Sequence, residues 1–521
     1  MIKKLPKEFL DVVSENNGLK QYLSNLSVGR EFTPRSWLYE NQDPNTILKN
    51  WLNILSRLQN GNLFEKNVYQ FDTSQLEKWG PQGGIAPIKE LMEGVVLPTF
   101  KEYSPVPAAY DSSEWTRAVN LCIEKMRQRS VWMLRPTSYA RVVDDMRARD
   151  TLESNSGWPL FTRRNKPEVI SDSIRDAENG SSYGYPAVAL FRNYNQKTRL
   201  VWMFPMSQNL IEGSYFQPLQ SAIIKSRAEF YAPWIGFEEV RRLITKAYDS
   251  GKFISASDFS STDEHFQWWS TNAISTVPTR CFQRAFQQGL LESLQRMHTI
   301  PLVISESSMV VGDHGVSSGS NWTNFIETIF DEVLSEYVHL KYANTRGFYA
   351  IGDDMAWISD TFDEDLEHKL EQCGKDVGQL IKADKTTNKP NEVKTLQRLF
   401  QRGYRRQDGL LRGVYSTIRA LKSSVYPERF HKPSSWNSDM FCARQYMILE
   451  NCVDHPLFEE FVKFVVNGHR DLIPFARKSK TELDRIQRET HTLPGFNPTY
   501  NQEKRDTSLA NFESVKLAKS F

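Results

Sequence analysis

Two stretches of the sequence place carboxylates where they could hold metal ions. The first, residues 348–359, reads FYAIGDDMAWIS, with apolar and aromatic residues on both sides of Gly352, Asp353 and Asp354. This pattern predicts strand, tight turn and strand, because Gly352 permits an unusual backbone angle at the turn. An ordinary solvent-exposed hairpin has the same pattern, since aspartates are common in turns.

The second stretch, residues 252–266, contains Asp258 at the end of a predicted short strand and Asp263 five residues later. If this strand runs beside the hairpin, Asp258 comes close to Asp353, and the two carboxylates repel each other unless cations lie between them. Paired Mg²⁺ ions are the usual solution in phosphoryl transfer. Oxygen ligands without histidine favour Mg²⁺, with Mn²⁺ as a possible substitute, over Zn²⁺.

A Gly/Ser-rich loop followed by a helix lies between the two carboxylate stretches. The loop begins at residue 312, and apolar residues then recur at helical spacing from Phe325 to Val338. A loop that leads into a helix N-terminus is suited to contact phosphate or ribose. An ordinary serine-capped helix has the same pattern.

Taken in order, these three elements resemble the palm signature of viral RNA-dependent RNA polymerases. The signature consists of DxxxxD, then SGxxxT before a helix, then GDD in a hairpin, and the chain has all three at residues 258–263, 318–323 and 352–354. The form SGSNWT, the string KTRLVW and the chain length are most similar to picobirnavirus polymerases, and next to partitivirus polymerases. The resemblance covers roughly residues 150–405.

Four further segments extend the resemblance. They are similar, in order, to a template-entry loop, the basic finger motif that holds the incoming triphosphate, the segment whose lysine protonates pyrophosphate, and the primer-grip hairpin. These segments are TLESNSGWP at 151–159, RNYNQKTRLVWMFP at 192–205, IKADKTTNK at 381–389 and TLQRLFQRGY at 395–404.

The resemblance implies a role for each candidate site residue. Asp258 and Asp353 would bind two Mg²⁺ ions, with Asp354 as an outer or orienting ligand, and Lys385 would act as general acid. The residues expected to contact the nucleotide are Arg192, Lys197 and Arg199 at the triphosphate, Asp263, Ser318 and Thr323 at the ribose 2′-OH, and Gly319 and Asn324 beside them.

One departure from the family pattern concerns the sugar-reading residues. Many of these polymerases have Asn four residues after the Thr of SGxxxT, and this chain has Glu327 there. Asn324 is a candidate replacement, but on a helix its side chain is expected to point elsewhere. The sugar-reading network is therefore left open at this point.

The fold implied is an α+β closed right hand with fingers, a palm formed by an antiparallel sheet backed by helices, and a thumb. The predicted domains are an N-terminal extension bridging fingers and thumb over 1–100, fingers over 101–250 with 267–310 interleaved, a palm over 251–266 and 311–400, and a thumb with the C-terminal tail over 401–521. The tail, 493–521, is a candidate plug of the product site.

Composition limits the function less than the motifs do. The chain has 521 residues and a net charge of only +2, which does not by itself indicate a nucleic-acid binder. Basic residues nevertheless cluster in residues 117–166 and 398–422. Each stretch could be a solvated helix face or a set of phosphate contacts. For the second stretch, its position after the palm favours phosphate contacts. Five cysteines without a CxxC pair predict neither a zinc site nor a disulfide framework. The sequence contains neither a signal-peptide pattern nor an apolar run long enough to span a membrane.

The predicted function is RNA-templated RNA synthesis, replicating and transcribing the genome of a double-stranded RNA virus, with initiation that needs no primer. Expected partners are template and product RNA, ribonucleoside triphosphates and viral capsid protein, with no membrane. The protein is expected to act as a monomer in the virion interior and the host cytoplasm.

Three alternatives fit the sequence less well. A reverse transcriptase usually has a bulky aromatic residue before its paired aspartates, where this chain has Ile351-Gly352, and lacks the SGxxxT form. A metal-dependent nuclease would not need the KTR segment. An inactive scaffold would not need Asp258 and Asp353.

Overall fold

A computed structural model of the chain describes residues 1–100, 105–496 and 507–521. Within these residues short strands are spread among many helices. The strands are β1 (Ile2–Lys4), β2 (Ala187–Tyr194), β3 (Lys197–Met203), β4 (Phe253–Asp258), β5 (Leu302–Val303), β6 (Ser308–Val310), β7 (Thr345–Ile351), β8 (Asp354–Ser359), β9 (Thr387–Asn388), β10 (Glu392–Thr395), β11 (Arg398–Gln401) and β12 (Val414–Tyr415).

The α-helices are distributed along the whole chain. They are α1 (Lys7–Glu15), α2 (Asn17–Val28), α3 (Pro44–Leu55), α4 (Leu63–Thr73), α5 (Ile88–Leu91), α6 (Ser113–Gln128), α7 (Tyr139–Ala148), α8 (Pro167–Glu178), α9 (Met206–Ser226), α10 (Ala232–Ile235), α11 (Phe237–Asp249), α12 (Thr262–His265), α13 (Trp268–Ile274), α14 (Thr276–Arg280), α15 (Arg284–Met297), α16 (Trp322–Lys341), α17 (Leu366–Asp376), α18 (Thr417–Val425), α19 (Ser438–Glu450), α20 (Phe458–Val466), α21 (Leu472–Ala476), α22 (Lys480–Thr490) and α23 (Glu513–Lys519).

The central sheet has the strand order β7-β8-β4-β9, and all of its neighbouring strands are antiparallel. Its two faces are covered by different helices. Ala356 packs in a cluster with residues of α11, whereas the adjacent Met355 packs in a cluster with residues of α16. Because successive side chains of a strand point to opposite faces, the sheet lies between these two helices. The predicted antiparallel sheet backed by helices is confirmed.

A second sheet joins the beginning of the chain to its middle. It has the order β1-β6-β5-β2-β3, and β1 pairs with β6 so that Ile2 lies opposite Val310. The hairpin of β2 and β3 carries the KTR segment, and its two turn residues, Asn195 and Gln196, have φ of 53° and 61°. Positive φ at both positions is the pattern of a type I′ turn, which matches the twist of a hairpin.

A small third sheet, β10-β11-β12, contains the segment predicted to form a hairpin over 395–404. Strands β10 and β11 pair antiparallel across a turn at Leu396 and Gln397, which have φ of 50° and 64°. The hairpin is therefore present, although it begins at Glu392.

Most arginines of the basic stretch 398–422 are committed to contacts within the protein. Arg405 pairs with Asp249, and Arg406 pairs with Asp454. Arg398, which is 5 % exposed, donates to two backbone carbonyls. The stretch is therefore neither a solvated face nor a continuous phosphate-binding surface. Its residues that line cavities in the region of the active site include Arg419 and Lys422.

The N-terminal hundred residues contact two distant parts of the chain. The Tyr22 hydroxyl donates to the carbonyl of Ala189 in β2, at 2.6 Å. At the other end, buried Asp72 of α4 accepts bonds from the backbone N–H groups of Thr417 and Ile418, which begin α18. These contacts hold β2 and α18 to the same N-terminal segment.

The five cysteines are all buried and unbridged. Desolvation raises the pKa of the Cys281 thiol to about 12 and that of the Cys373 thiol to about 11, which keeps both protonated. Across the described residues, no helix combines the length and apolar character needed to cross a bilayer.

Candidate active site

The turn between β7 and β8 carries Gly352 and Asp353, and a glycine is required at its first position for two reasons. Gly352 has φ of +58°, which side chains disfavour. A Cβ there would also lie 2.9 Å from Nδ2 of Asn324, on the first turn of α16. The Gly352 N–H donates to Oγ1 of Thr328 at 2.8 Å, so α16 supports the turn directly.

The three predicted metal-binding aspartates meet at the end of the central sheet. Asp258, the last residue of β4, lies opposite Asp354, the first residue of β8. Asp353 precedes Asp354 in the turn. Its carbonyl accepts from the Phe259 N–H at 3.3 Å, and its Oδ2 accepts from Oγ1 of Thr262 at 3.1 Å. The loop after β4 is thus attached to the turn.

Without a bound cation, negative charge is unfavourable at the end of the central sheet where these three aspartates meet. Burial raises the pKa of Asp353, and the neighbouring Asp258 raises it further, while the bond from Thr262 lowers it. Burial followed by repulsion from Asp353 and Asp258 raises the pKa of Asp354. Burial also raises the pKa of Asp258, and Lys385 opposes this shift. Carboxylates held this way gain stability when a cation binds.

The donor chemistry fits a hard divalent cation, because the three aspartates supply oxygen ligands and no His or Cys joins them. Among the described residues, no group of three or more acidic, His or Cys side chains is already gathered into metal-ligating geometry. Asp258 and Asp353 therefore each offer carboxylate oxygens to the same cavity, but they are not already arranged as a metal site.

The cavity has a volume of about 1040 Å³ and brings together most of the predicted catalytic and triphosphate residues. Those on its wall are Asp258, Asp263, Lys197, Arg199, Asp353, Asp354 and Lys385. Burial and then Asp353 raise the pKa of Asp263 to about 6, whereas Lys197 and Arg199 lower it. The wall thus combines acids and cations from segments far apart in sequence.

The remaining predicted triphosphate residue, Arg192, lies outside this wall. Its guanidinium forms a bidentate pair with Glu428, with both N–O distances 2.8 Å, and it lies 4.6 Å from the centre of the Tyr194 ring. It lines a neighbouring cavity of about 640 Å³ instead. Arg192 nevertheless lies directly opposite Arg199 in the hairpin, and both guanidinium groups lie over the Tyr194 ring, which lines both cavities.

The loop of the SGxxxT motif lies against β3. A Cβ at Gly319 would be 1.5 Å from the carbonyl oxygen of Trp202, so only glycine permits this approach. Ser318 is exposed, and its hydroxyl makes long contacts of 3.4 Å with the backbone of Leu200 and Trp202. Gly319 therefore has a structural reason to be glycine.

Buried Glu212 of α9 anchors the same loop. Its Oε1 accepts from the Asn321 N–H at 3.0 Å and from Nδ2 of Asn209 at 3.1 Å, and its Oε2 bonds to the Ser320 hydroxyl. Burial raises the pKa of Glu212 to about 7, although these bonds and Arg164 lower it. None of the sequence motifs includes Glu212, whose only signal in the sequence is that it is a lone acid in an otherwise uncharged segment.

The other sugar-site candidates have different surroundings. The Thr323 hydroxyl donates to the carbonyl of Ser317, so it holds the loop to the helix. Asn324 is exposed and lies beside Gly352; the expectation that it points elsewhere is therefore wrong, because the helix passes directly under the turn. Glu327 is buried one turn later, and burial together with Asp353 and Asp263 raises its pKa.

The family described as Viral RNA-dependent RNA polymerase matches residues 194–421, which include strand β3 with the KTR segment, the SGxxxT loop and the GDD turn. The chain is an RNA-dependent RNA polymerase. The resemblance proposed from the motifs is confirmed.

Relatives of this polymerase extend over most of its length. A protein named "Potential RNA-dependent RNA polymerase" from Human picobirnavirus (strain Human/Thailand/Hy005102/-) is 27 % identical over 481 residues, covering 87 % of this chain and 86 % of the relative. The crystal structure of a human picobirnavirus RNA-dependent RNA polymerase is 24 % identical, with a TM-score of 0.81 over 99 % of this chain and 100 % of the other. Its insertion-loop deletion mutant has a TM-score of 0.80. The right-hand polymerase fold is thereby confirmed.

Proposed function

We propose that this polymerase copies RNA by two-metal nucleotidyl transfer from ribonucleoside triphosphates and starts new chains without a primer. The observation that carries the proposal is the convergence of Asp258, Asp353 and Asp354 with Lys197 and Arg199 on one cavity. Carboxylates suit the cations, and the basic side chains suit the triphosphate.

The metal-binding part of the proposal assigns Mg²⁺, with Mn²⁺ as a substitute, to Asp258 and Asp353, with Asp354 as an outer or orienting group. When bound, the metal ions would supply activation of the 3′-OH and stabilisation of the leaving pyrophosphate. The raised pKa values of these aspartates support the assignment, since a cation relieves the repulsion that raises them.

The chain's own groups orient and neutralise the substrate. Lys197 and Arg199 hold β- and γ-phosphate oxygens. The 3′-hydroxyl gives its proton to water, its oxygen bonds to the α-phosphorus, the α–β phosphoanhydride bond breaks, and Lys385 gives a proton to the departing pyrophosphate. Arg192 contributes indirectly, because its pair with Glu428 positions the hairpin that carries the other two cations.

Ribose selection is assigned to Asp263, which accepts from the 2′-OH. A polar site built for a hydroxyl rejects the analogue that lacks it, because its own groups are then left unpaired. Ser318 is an exposed further contact, and Asn324 is a candidate beside the turn. Gly319 and Thr323 keep the loop in place.

The domains proposed for this fold are the N-terminal extension over 1–100, fingers over 101–250 with 267–310, palm over 251–266 and 311–400, and thumb over 401–521. The extension's contacts to β2 and α18 support its bridging role. The proposed plug at 493–521 lies partly outside the described residues. From the motif resemblance we also propose the biological setting, a monomer that replicates and transcribes a double-stranded RNA virus genome, with capsid protein as partner, in the virion and host cytoplasm.

The test uses a single-stranded RNA template, four ribonucleotides and Mg²⁺ without a primer, and follows labelled product. Full-length complementary RNA is expected from the wild type, and none from Asp353→Ala or from samples without metal. Synthesis only when a primer is added would overturn primer-independent initiation alone. Undiminished synthesis by Asp353→Ala would overturn the catalytic assignment.

A further inference from the structure

Two loops near the active site pack against the end of β3. A Cβ on Gly157 would lie 2.5 Å from the carbonyl oxygen of Phe204, and one on Gly319 would lie 1.5 Å from that of Trp202. Gly157 belongs to residues 151–159, the segment that resembles a template-entry loop, and Gly319 belongs to the SGxxxT loop. Because Trp202 and Phe204 are only two residues apart, a side chain that lies between the two loops can contact both.

Arg164 closes the template-entry loop and reaches beyond it. Its backbone N–H donates to the carbonyl of Ser154 at 3.0 Å, and its Nε donates to that of Asn155 at 3.1 Å. Nη2 of the same guanidinium donates to Oδ1 of Asn209, near the start of α9, at 2.8 Å. One residue thus holds the backbone of the loop and a side chain of α9 together.

Asn209 connects this contact to the SGxxxT loop. It is only 2 % exposed. Its Nδ2 donates to the carbonyl of Gly319 at 3.2 Å and to Oε1 of Glu212 at 3.1 Å. Only this orientation of the amide places its acceptor against a guanidinium and its donor against a carbonyl and a carboxylate. The Asn209 side chain therefore accepts from the template-entry loop and donates to the SGxxxT loop.

Opposite charges lie at the two ends of this chain of hydrogen bonds. Burial lowers the pKa of Arg164 to about 10, and Glu212 opposes that shift. Burial raises the pKa of Glu212, and Arg164 is among the groups that lower it. A bond from a cation and a bond to an acid polarise the amide between them in the same direction, which strengthens both bonds. The three side chains therefore stabilise one another.

The loop at the end of this chain carries a proposed ribose contact. Ser318 is exposed, and its hydroxyl makes only long contacts of 3.4 Å with β3. The next residue is Gly319, whose carbonyl is held by Asn209. Glu212 bonds to the two residues after Gly319. The position of Ser318 therefore depends on contacts made by the residues that follow it.

We propose that Arg164, Asn209 and Glu212 are positioning residues that tie the SGxxxT loop to the template-entry loop, so that selection of ribonucleotides depends on the loop that receives the template. None of the three lines the catalytic cavity, so each acts through the SGxxxT loop and not on the substrate. This inference rests on the proposed function and deepens it, because it names the groups that keep Ser318 in place.

The test measures ribose discrimination, the ratio of kcat/KM for UTP to kcat/KM for dUTP, in primer extension. Arg164→Met removes the guanidinium and keeps an unbranched apolar side chain. Without its partner, the Asn209 amide is free to turn away from Gly319, and the loss of one hydrogen bond predicts a fall in the ratio of about three- to tenfold. The fall should come from a higher KM for UTP. A loss of folded protein would lower both rates equally and leave the ratio unchanged.

Arg163→Met is the matched control, because it changes the neighbouring arginine of the same loop. The Arg163 side chain is 57 % exposed and pairs with Glu153 at 3.5 Å. Its ribose discrimination should stay within about twofold of wild type. An unchanged ratio in Arg164→Met, or an equal fall in both variants, would overturn the proposal.

A double-mutant cycle tests whether Arg164 acts through Asn209. Asn209→Ala removes the amide and should lower the ratio at least as much as Arg164→Met does. Adding Arg164→Met to Asn209→Ala should then change the ratio by less than about twofold, because the chain of hydrogen bonds is already broken. Effects that multiply independently would contradict the role of Asn209.

Hydrogen exchange covers the case in which the protein makes no RNA, where the proposed function itself fails. The backbone N–H of Asn321 donates to a carboxylate of α9, so it reports on the SGxxxT loop without any substrate. Exchange of residues 317–322 should be faster in Arg164→Met and Asn209→Ala than in the wild type, and unchanged in Arg163→Met. Equal exchange in all four proteins would overturn the connection between the two loops independently of synthesis.

Discussion

Oγ1 of Thr262 donates a hydrogen bond to Oδ2 of Asp353 at 3.1 Å, and this bond attaches the loop after β4 to the turn between β7 and β8. It is a neutral donor among several carboxylates, and it lowers the pKa of Asp353 against the combined effects of burial and Asp258. The bond therefore favours the ionised form that binds cations.

Substituting Thr262→Val should move the acidic limb of the pH–activity profile upward. Removing the donor raises the pKa of Asp353, so the ionised form is lost at a higher pH as the solution is acidified. A loss of one charge-assisted bond predicts a shift of about one pH unit. Primer extension measured from acidic to neutral pH tests this, with Thr262→Ser as the control that retains the hydroxyl. Identical profiles for the valine variant and wild type would contradict the role of this bond.

Glu212 predicts a pH dependence of stability. Because its folded pKa is raised to about 7, its contribution is fully present below its unfolded pKa and is lost as pH rises through about 7. Glu212→Gln can make the same contacts, since its oxygen accepts from Asn209 and Asn321 and its amide donates to Ser320. As the pH rises from acidic to alkaline, the free energy of unfolding of the variant should increase by roughly 3 kcal/mol relative to that of the wild type.

Thermal unfolding of both proteins at several pH values measures this difference. Glu212→Gln should also keep its polymerase activity at neutral pH, because the contacts that hold the SGxxxT loop are retained. A constant difference in melting temperature across the pH range would mean that folding does not raise the pKa of Glu212.

Neutralising either of two neighbouring acids on α16, Asp331 and Glu332, should change the unfolding free energy in opposite directions. Both carboxylate oxygens of Asp331 are buried without a hydrogen-bond partner among the described residues, and burial with Asp353 and Asp354 raises its pKa. Glu332 instead pairs with Arg129 at 2.9 Å. Asp331→Asn should raise the unfolding free energy at alkaline pH by about 1–3 kcal/mol, whereas Glu332→Gln should lower it by about 3–5 kcal/mol.

Denaturant unfolding of the two variants provides a matched comparison, because the positions are adjacent on one helix. A loss of stability in Asp331→Asn comparable to that in Glu332→Gln would indicate that Asp331 has a favourable partner. Primer extension by Asp331→Asn should remain close to wild type, since its carboxylate lies behind the turn and off the cavity wall.

Asp72 is buried, and substituting it should destabilise the protein more than most other substitutions in the N-terminal extension. Its two oxygens accept from the backbone and hydroxyl groups at the start of α18, and from Nε2 of His455 at 2.8 Å. Asp72→Ala leaves those buried donors unpaired and should cost about 3–5 kcal/mol. Melting temperature measures the loss, with exposed Asp11→Ala as the control.

Sequence alone could predict the features that depend on local pattern. The hairpin at Gly352 was predictable because two apolar strands flank a turn that needs a glycine, and Asp258 was predictable as the last residue of a short strand. Their pairing needed the family resemblance, because no local pattern specifies which strands become neighbours.

Other parts of the site depend on contacts between distant segments. Lys78 lines the catalytic cavity, and Asp72 of the same N-terminal extension accepts a hydrogen bond from Ser416, 344 residues later in the chain. The pairing of Arg192 with Glu428 likewise spans 236 residues. Charge and spacing in the sequence carry no signal for either contact.

The pairing of β1 with β6 also has a consequence for how the chain is made. Ile2–Lys4 leave the ribosome well before their partners Ser308–Val310, which follow about 300 residues later. At a synthesis rate of about 5–20 residues per second, β1 waits roughly 15–60 s for β6. The second sheet therefore cannot be completed during synthesis until the segment that contains β6 has emerged.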